Sequence, residues 1–189
     1  MSGRLLLPGF VWWPAWWLGA LKPWGHRDRR FTAPRLLVIH CGSKRADLAG
    51  YLADPTEPEP EDPHADGAPI LCHDGKWRRQ VATHGAWDPR TNRLVQMVGL
   101  ELEAWGTGTA PWNGMPVAQR VAVHVELPGP PTQDRRGVQT EELQRFARAS
   151  AEAQPSITHW VRHSDLDHRK RDPGSGLDEG WAQGILLRG

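Results

Sequence analysis

The chain has 189 residues, the length of one domain with room for a substantial core. Its 23 basic and 22 acidic side chains nearly cancel, which excludes the broad positive field of a nucleic-acid binder. Two cysteines are too few for a disulfide framework, so Cys41 and Cys72 are expected as thiols.

Five of the eleven tryptophans fall within the first 24 residues. Leu5–Leu21 is uncharged, but with 17 residues and with Pro8 and Pro14 inside, it is a poor membrane-crossing helix. Arg4 alone precedes it, and Leu18-Gly19-Ala20 is a poor cleavage site. Three readings stay open: a segment packed on the domain, an interfacial or sugar-stacking surface that brings a membrane contact, and a divergent export signal. The chain accordingly divides into a tryptophan-rich segment, 1–34, and a folded domain, 35–189.

The short apolar run Arg35–His40 reads as a buried strand. Ser43 can cap a helix over Lys44–Ala53, and the proline-rich, acidic Asp54–Pro69 is an exposed loop. Gln80–Trp87 and Arg93–Val98 flank a turn and predict a hairpin. Leu100–Gly114, with three glycines, predicts a loop beside a groove, and Arg120–Glu126 alternates as a strand does. A helix is expected from Thr140 to about Ala153, stopped by Pro155; then a strand over Ser156–Val161 and a short closing helix over Asp178–Leu187. The order implies an α/β fold, a single domain with a central mixed β-sheet flanked by helices. No internal repeat is visible.

The chemistry gathers at two places. His40 stands at the tip of the first strand, and His163 and Asp172 are nine positions apart before a Pro-Gly turn. Two imidazoles and a carboxylate can hold one Zn²⁺ and leave a fourth position open, the arrangement of a hydrolytic rather than a structural site. His168 is a rival to His163, Asp165 and Asp167 are rivals to Asp172, and His159 reads as structural.

Four blocks carry a resemblance over about Arg35–Trp181: Val38-Ile39-His40-Cys41, Ala104-Trp105-Gly106-Thr107-Gly108, Val123-His124-Val125-Glu126-Leu127 and His163 with Lys170-Arg171-Asp172-Pro173-Gly174. In content and order they resemble the zinc-dependent N-acetylmuramoyl-L-alanine amidases, a superfamily that includes phage endolysins, bacterial recycling amidases and peptidoglycan recognition proteins. The resemblance implies that fold, a Zn²⁺ cofactor, and hydrolysis of the amide between N-acetylmuramic acid and L-alanine. By the family's pattern His40, His163 and Asp172 hold the ion. Glu126 takes the proton of water and returns it to the leaving amine, and Lys170 stabilises the oxyanion. The aspartate, where many phage and animal members have cysteine, resembles the bacterial recycling branch.

The implied partner is peptidoglycan, both glycan strand and stem peptide, met by a monomer that acts on the bacterial wall after lysis or export. Trp105, Trp112 and Arg162 are candidate substrate contacts. His84 either lines the cleft, touching substrate or the attacking water, or is buried in the hairpin. Two departures stand out: Gly106 replaces the usual histidine after Ala-Trp, and His124 replaces the usual glycine two positions before Glu126. The competing readings are a silent peptidoglycan-binding module on the same fold and a membrane-active protein carried by residues 1–24.

Overall fold

The apolar run becomes β1 (Leu36–Cys41), and every one of its side chains is buried. A strand covered on both faces belongs inside a sheet with a layer on either side. The computed structural model, which describes residues 6–13, 32–41, 70–71, 77–78, 83–104, 106–107, 109–130, 137–177 and 179–189, has that arrangement. Residues 14–31, Lys44–Ala53, Asp54–Pro69, Cys72 and Trp105 lie outside the described residues.

In chain order the other strands are β2 (Ile70–Leu71), β3 (Trp77–Arg78), β4 (Gly85–Asp88), β5 (Arg93–Gln96), β6 (Ala122–Leu127), β7 (His159–Arg162) and β8 (Leu187–Arg188). The main sheet runs β5-β4-β6-β1-β7-β8, and β2 and β3 form a separate antiparallel pair. β1 lies parallel to β6 and β7, while β4 and β5 are the expected antiparallel hairpin. The sheet is therefore mixed, with its parallel strands at the centre.

Alternation along the strands sorts two cores. Leu37, Ile39, Val123 and Val125 join the larger one, which α1 (Val138–Ala153) covers; Leu36, Val38, Ala122 and Val161 form the smaller one on the other face. α1 buries Leu143, Phe146, Ala147 and Ser150, the spacing of one helical face. Gly85 makes room for it, since a Cβ there would lie 2.6 Å from the Phe146 ring.

The closing segment departs from expectation. Instead of a helix over Asp178–Leu187 there is a 3₁₀ turn at Glu179–Ala182, and the chain then adds β8 to the sheet. Gly180 and Gly184, the latter at φ 74°, disfavour a continued helix, and Trp181 is drawn into the core against Trp160 with ring centroids 5.1 Å apart.

Leu6–Trp13 is packed on the domain, one of the three readings left open for the tryptophan segment. Gln96 holds it: its side chain accepts the Leu7 N–H at 2.7 Å, and its main chain bonds Val11 and Trp13. Arg145 lies over the Phe10 ring and Arg90 over the Trp13 ring. This part of the 1–34 segment thus shares a core with 35–189. Among the described residues no helix is long and apolar enough to cross a membrane.

Glu142, 2% exposed, ties α1 to β5 by accepting from Arg145, Arg93 and the Leu94 N–H. Burial opposes its ionisation, but these donors outweigh it and hold the carboxyl below its usual value. A depressed folded pKa gives stability that is present above the unfolded value, about 4.3, and lost as pH falls through the folded one. Both arginines are partly exposed, which keeps the effect below that of a fully buried pair. Glu142→Gln is expected to cost about 2 kcal/mol at pH 7, or about 4–8 °C in Tm, with the deficit narrowing in acid. Thermal melts from pH 7 to pH 2 check this, and a constant gap would contradict it.

Candidate metal centre

The parallel pairing of β1 with its neighbours brings distant residues to the same end of the central strands. In register, His40 stands beside Glu126 of β6. Ile39 stands beside Arg162, so the next residue along, His163, falls beside His40. His163 opens a short helix, α2 (His163–Leu166), and the chain then turns back. The Ser164 N–H donates to the Asp172 carbonyl at 3.0 Å, and Gly174 turns the chain away at φ 71°. That left-handed value favours glycine, which explains the Pro-Gly pair beside the carboxylate.

His40 Nδ1 lies 3.1 Å from His163 Nδ1 and 3.4 Å from Asp172 Oδ2, and His163 Nδ1 lies 3.0 Å from the same oxygen. A tetrahedral ion with bonds of about 2.0–2.1 Å separates its ligand atoms by about 3.3 Å. The triangle needs to open by only a few tenths of an ångström to take one. These three are the group among the described residues whose donor atoms could hold a metal ion.

Protonation suits a cation as well. Burial pushes His40 down to about 4, with Asp172 opposing and the His163 charge adding to the shift. For Asp172, burial works against ionisation, but hydrogen bonds with His163 and His40 hold the carboxyl far below the usual range. Neutral imidazole and ionised carboxylate are the forms that bind metal.

The rivals are placed elsewhere. His168 is exposed, and His159 sits at the start of β7, against Trp112. Asp165 accepts the Arg162 N–H and pairs with Arg188, and Asp167 pairs with Arg169.

Glu126 shares the sheet face of His40, by register, and is partly exposed. Lys170 is partly exposed, and its charge is among those that lower the His40 pKa. Of the candidate substrate contacts, Trp112 packs under the smaller core near His159, at the end of the strands away from His163. Arg162 follows Ile39 to the opposite face of the sheet from His163. His84 is fully buried, the second of the two alternatives left open for it. Its Nδ1 accepts the His124 N–H at 3.0 Å, so Nε2 carries the proton and donates to the Leu102 carbonyl at 3.1 Å.

His124 is fully buried, with Nδ1 3.0 Å from His40 Nε2. Two positions before Glu126, it is expected on the same strand face, where it would crowd the site or add a polar contact; the sequence does not name His40 as the partner. Gly106 lies against the same ring: a Cβ at 106 would stand 2.6 Å from His124 Nδ1. Only the coincidence of two departures in one sequence hinted at that proximity.

No protein-family model matches the chain, and no curated protein matches it by sequence. Solved structures do match. AmpD is 21% identical with TM-score 0.66, over 99% of both chains. The N-acetylmuramyl-L-alanine amidase AmiD from E. coli, solved with anhydro-N-acetylmuramic acid-L-Ala-D-gamma-Glu-L-Lys, is 22% identical with TM-score 0.60, over 90% of this chain and 67% of that one. Human PGRP-IBETAC, in complex with glycosamyl muramyl pentapeptide, is 15% identical with TM-score 0.59, over 96% and 99%. The chain has the fold of the N-acetylmuramoyl-L-alanine amidases and peptidoglycan recognition proteins.

Proposed function

We propose that this protein is a zinc-dependent N-acetylmuramoyl-L-alanine amidase that separates the stem peptide of peptidoglycan from its glycan, as an endolysin or a wall-remodelling enzyme. The carrying observation is the His40–His163–Asp172 triangle, both imidazoles buried, with its donor atoms within a few tenths of an ångström of the spacing around a tetrahedral ion. The neighbour AmiD, solved with a muropeptide, supports the substrate class. A non-catalytic peptidoglycan-binding module is the alternative, and the full ligand set argues for the enzyme.

Zinc held by these three residues would supply a water acidic enough to attack at neutral pH and would polarise the scissile carbonyl. Glu126, beside His40 and partly exposed, accepts the proton of the attacking water. As the C–N bond breaks it passes that proton to the departing L-alanine nitrogen, leaving a carboxylate on the lactyl group. Lys170 offsets the negative charge that develops on the carbonyl oxygen. Burial of His40 and His163 excludes water from the ligand side, and for His40 it also favours the neutral ring.

The test is mass spectrometry of products from purified peptidoglycan, with zinc-loaded protein and His163→Ala in parallel. Free stem peptides beginning with L-alanine, absent from the variant, are expected. Wall binding without any released peptide from a folded, zinc-loaded protein would turn the assignment to a binding module.

A further inference from the structure

Beyond the three ligand residues, the sheet carries a file of imidazoles into the core. His84 stacks on His124 with ring planes 20° apart, and His124 Nδ1 meets His40 Nε2 at 3.0 Å. His40 then presents its other nitrogen, Nδ1, to His163 and Asp172. A neutral imidazole has one N–H. If Nδ1 of His40 is to bind a cation, its proton must sit on Nε2, and His124 Nδ1 is the atom placed to accept it. The opposite tautomer would direct an N–H into the space between the three donors and close it to a metal.

The His124 ring has its place only because residue 106 is glycine. The Cβ of any other residue there would fall 2.6 Å from Nδ1 and 2.9 Å from Cγ of the ring. Both are well inside van der Waals contact, so a side chain at 106 and an imidazole at 124 exclude each other. The two positions where the sequence departs from the amidase pattern are thus one spatial unit. The imidazole that the loop lacks is supplied from the strand.

We propose that His124 is a positioning residue for the metal ligand His40: its Nδ1 accepts the His40 Nε2–H, fixing the tautomer and ring angle that leave Nδ1 for the ion, and Gly106 is the space that admits it. This rests on the reading of His40, His163 and Asp172 as a metal centre. Partners of this kind on a ligating histidine typically govern metal affinity by about 10–100-fold. Here the partner is a neutral ring rather than the commoner carboxylate or carbonyl. It orients His40 without adding charge beside the ion.

The experiment measures Zn²⁺ affinity by competition with a chromophoric chelator, with a thermal melt of each metal-free protein as control. His124→Leu keeps the volume and removes the acceptor, and a loss of about 10–100-fold is expected. Asparagine places its Oδ1 where the histidine has Nδ1, so His124→Asn should stay within a few-fold of the parent. Gly106→Ala, which leaves the strand sequence intact, should weaken zinc by displacing the ring; it also serves if His124→Leu fails to fold.

Zinc affinity unchanged in His124→Leu and Gly106→Ala, with His163→Ala abolishing binding, overturns the role of His124 alone. Equal loss in the leucine and asparagine variants overturns the acceptor role and leaves packing. If the parent protein binds no zinc that depends on His163, the metal-centre reading itself fails.

Discussion

Glu126→Gln is expected to lower the rate of stem-peptide release by about 10²–10⁴-fold while leaving the zinc content unchanged. Glutamine has the shape of glutamate but cannot take a proton from water, so the attack loses its base and the leaving amine its acid. The strand would be undisturbed, since β6 pairs with β1 and β4 through its main chain. Glu126 is also separate from the group of donor atoms that could hold the metal. Single-turnover rates on a soluble muropeptide and metal analysis of the same samples check both halves. Loss of zinc together with activity would make Glu126 a ligand and contradict the assignment.

Lys170→Met should lower kcat by about 10²–10³-fold, the usual cost of removing one donor that faces a developing oxyanion. KM should change little, because the charge it meets is present only in the transition state. Its basic neighbour Arg169 is committed to Asp167 through bonds of 2.8 and 2.9 Å. Steady-state kinetics with the same muropeptide separate the two parameters. A rise in KM alone would mark Lys170 as a substrate-binding charge, and no change would mark it as a solvated residue of a basic run.

The meeting of His40, His163 and Asp172 is legible in the sequence for a physical reason. Parallel strands deliver their last residues to a common edge, so a histidine ending one apolar run and another ending a later run are natural neighbours. His40 and His163 are such a pair. The choice between Asp165, Asp167 and Asp172 was not local, because it depends on which carboxylates a nearby arginine already occupies; Arg188 and Arg169 take the first two. Trp112 and Arg162 show the converse. Residue type suggested sugar and carboxylate contacts, but register decides the face and the end of the strand, and composition says nothing of register. The closing segment departs from a helix because its helix-compatible residues are interrupted by Gly180 and Gly184, and because the open side of β7 offers hydrogen bonds that a helix would forgo. His124 and Gly106 could be seen as departures, but their contact arises only when a loop folds over the sheet.

The docking of Leu6–Trp13 along β5 has a consequence for how the chain behaves among its own copies. A sheet edge with open N–H and C=O groups invites pairing with another molecule. Here Gln96, the last residue of the β5 edge, spends its main-chain N–H and carbonyl on Val11 and Trp13. The opposite edge is the two-residue β8, ending in a charged Arg188 that pairs with Asp165. An apolar segment that looked suited to a surface or a bilayer therefore serves, over its described part, as a guard against edge-to-edge aggregation.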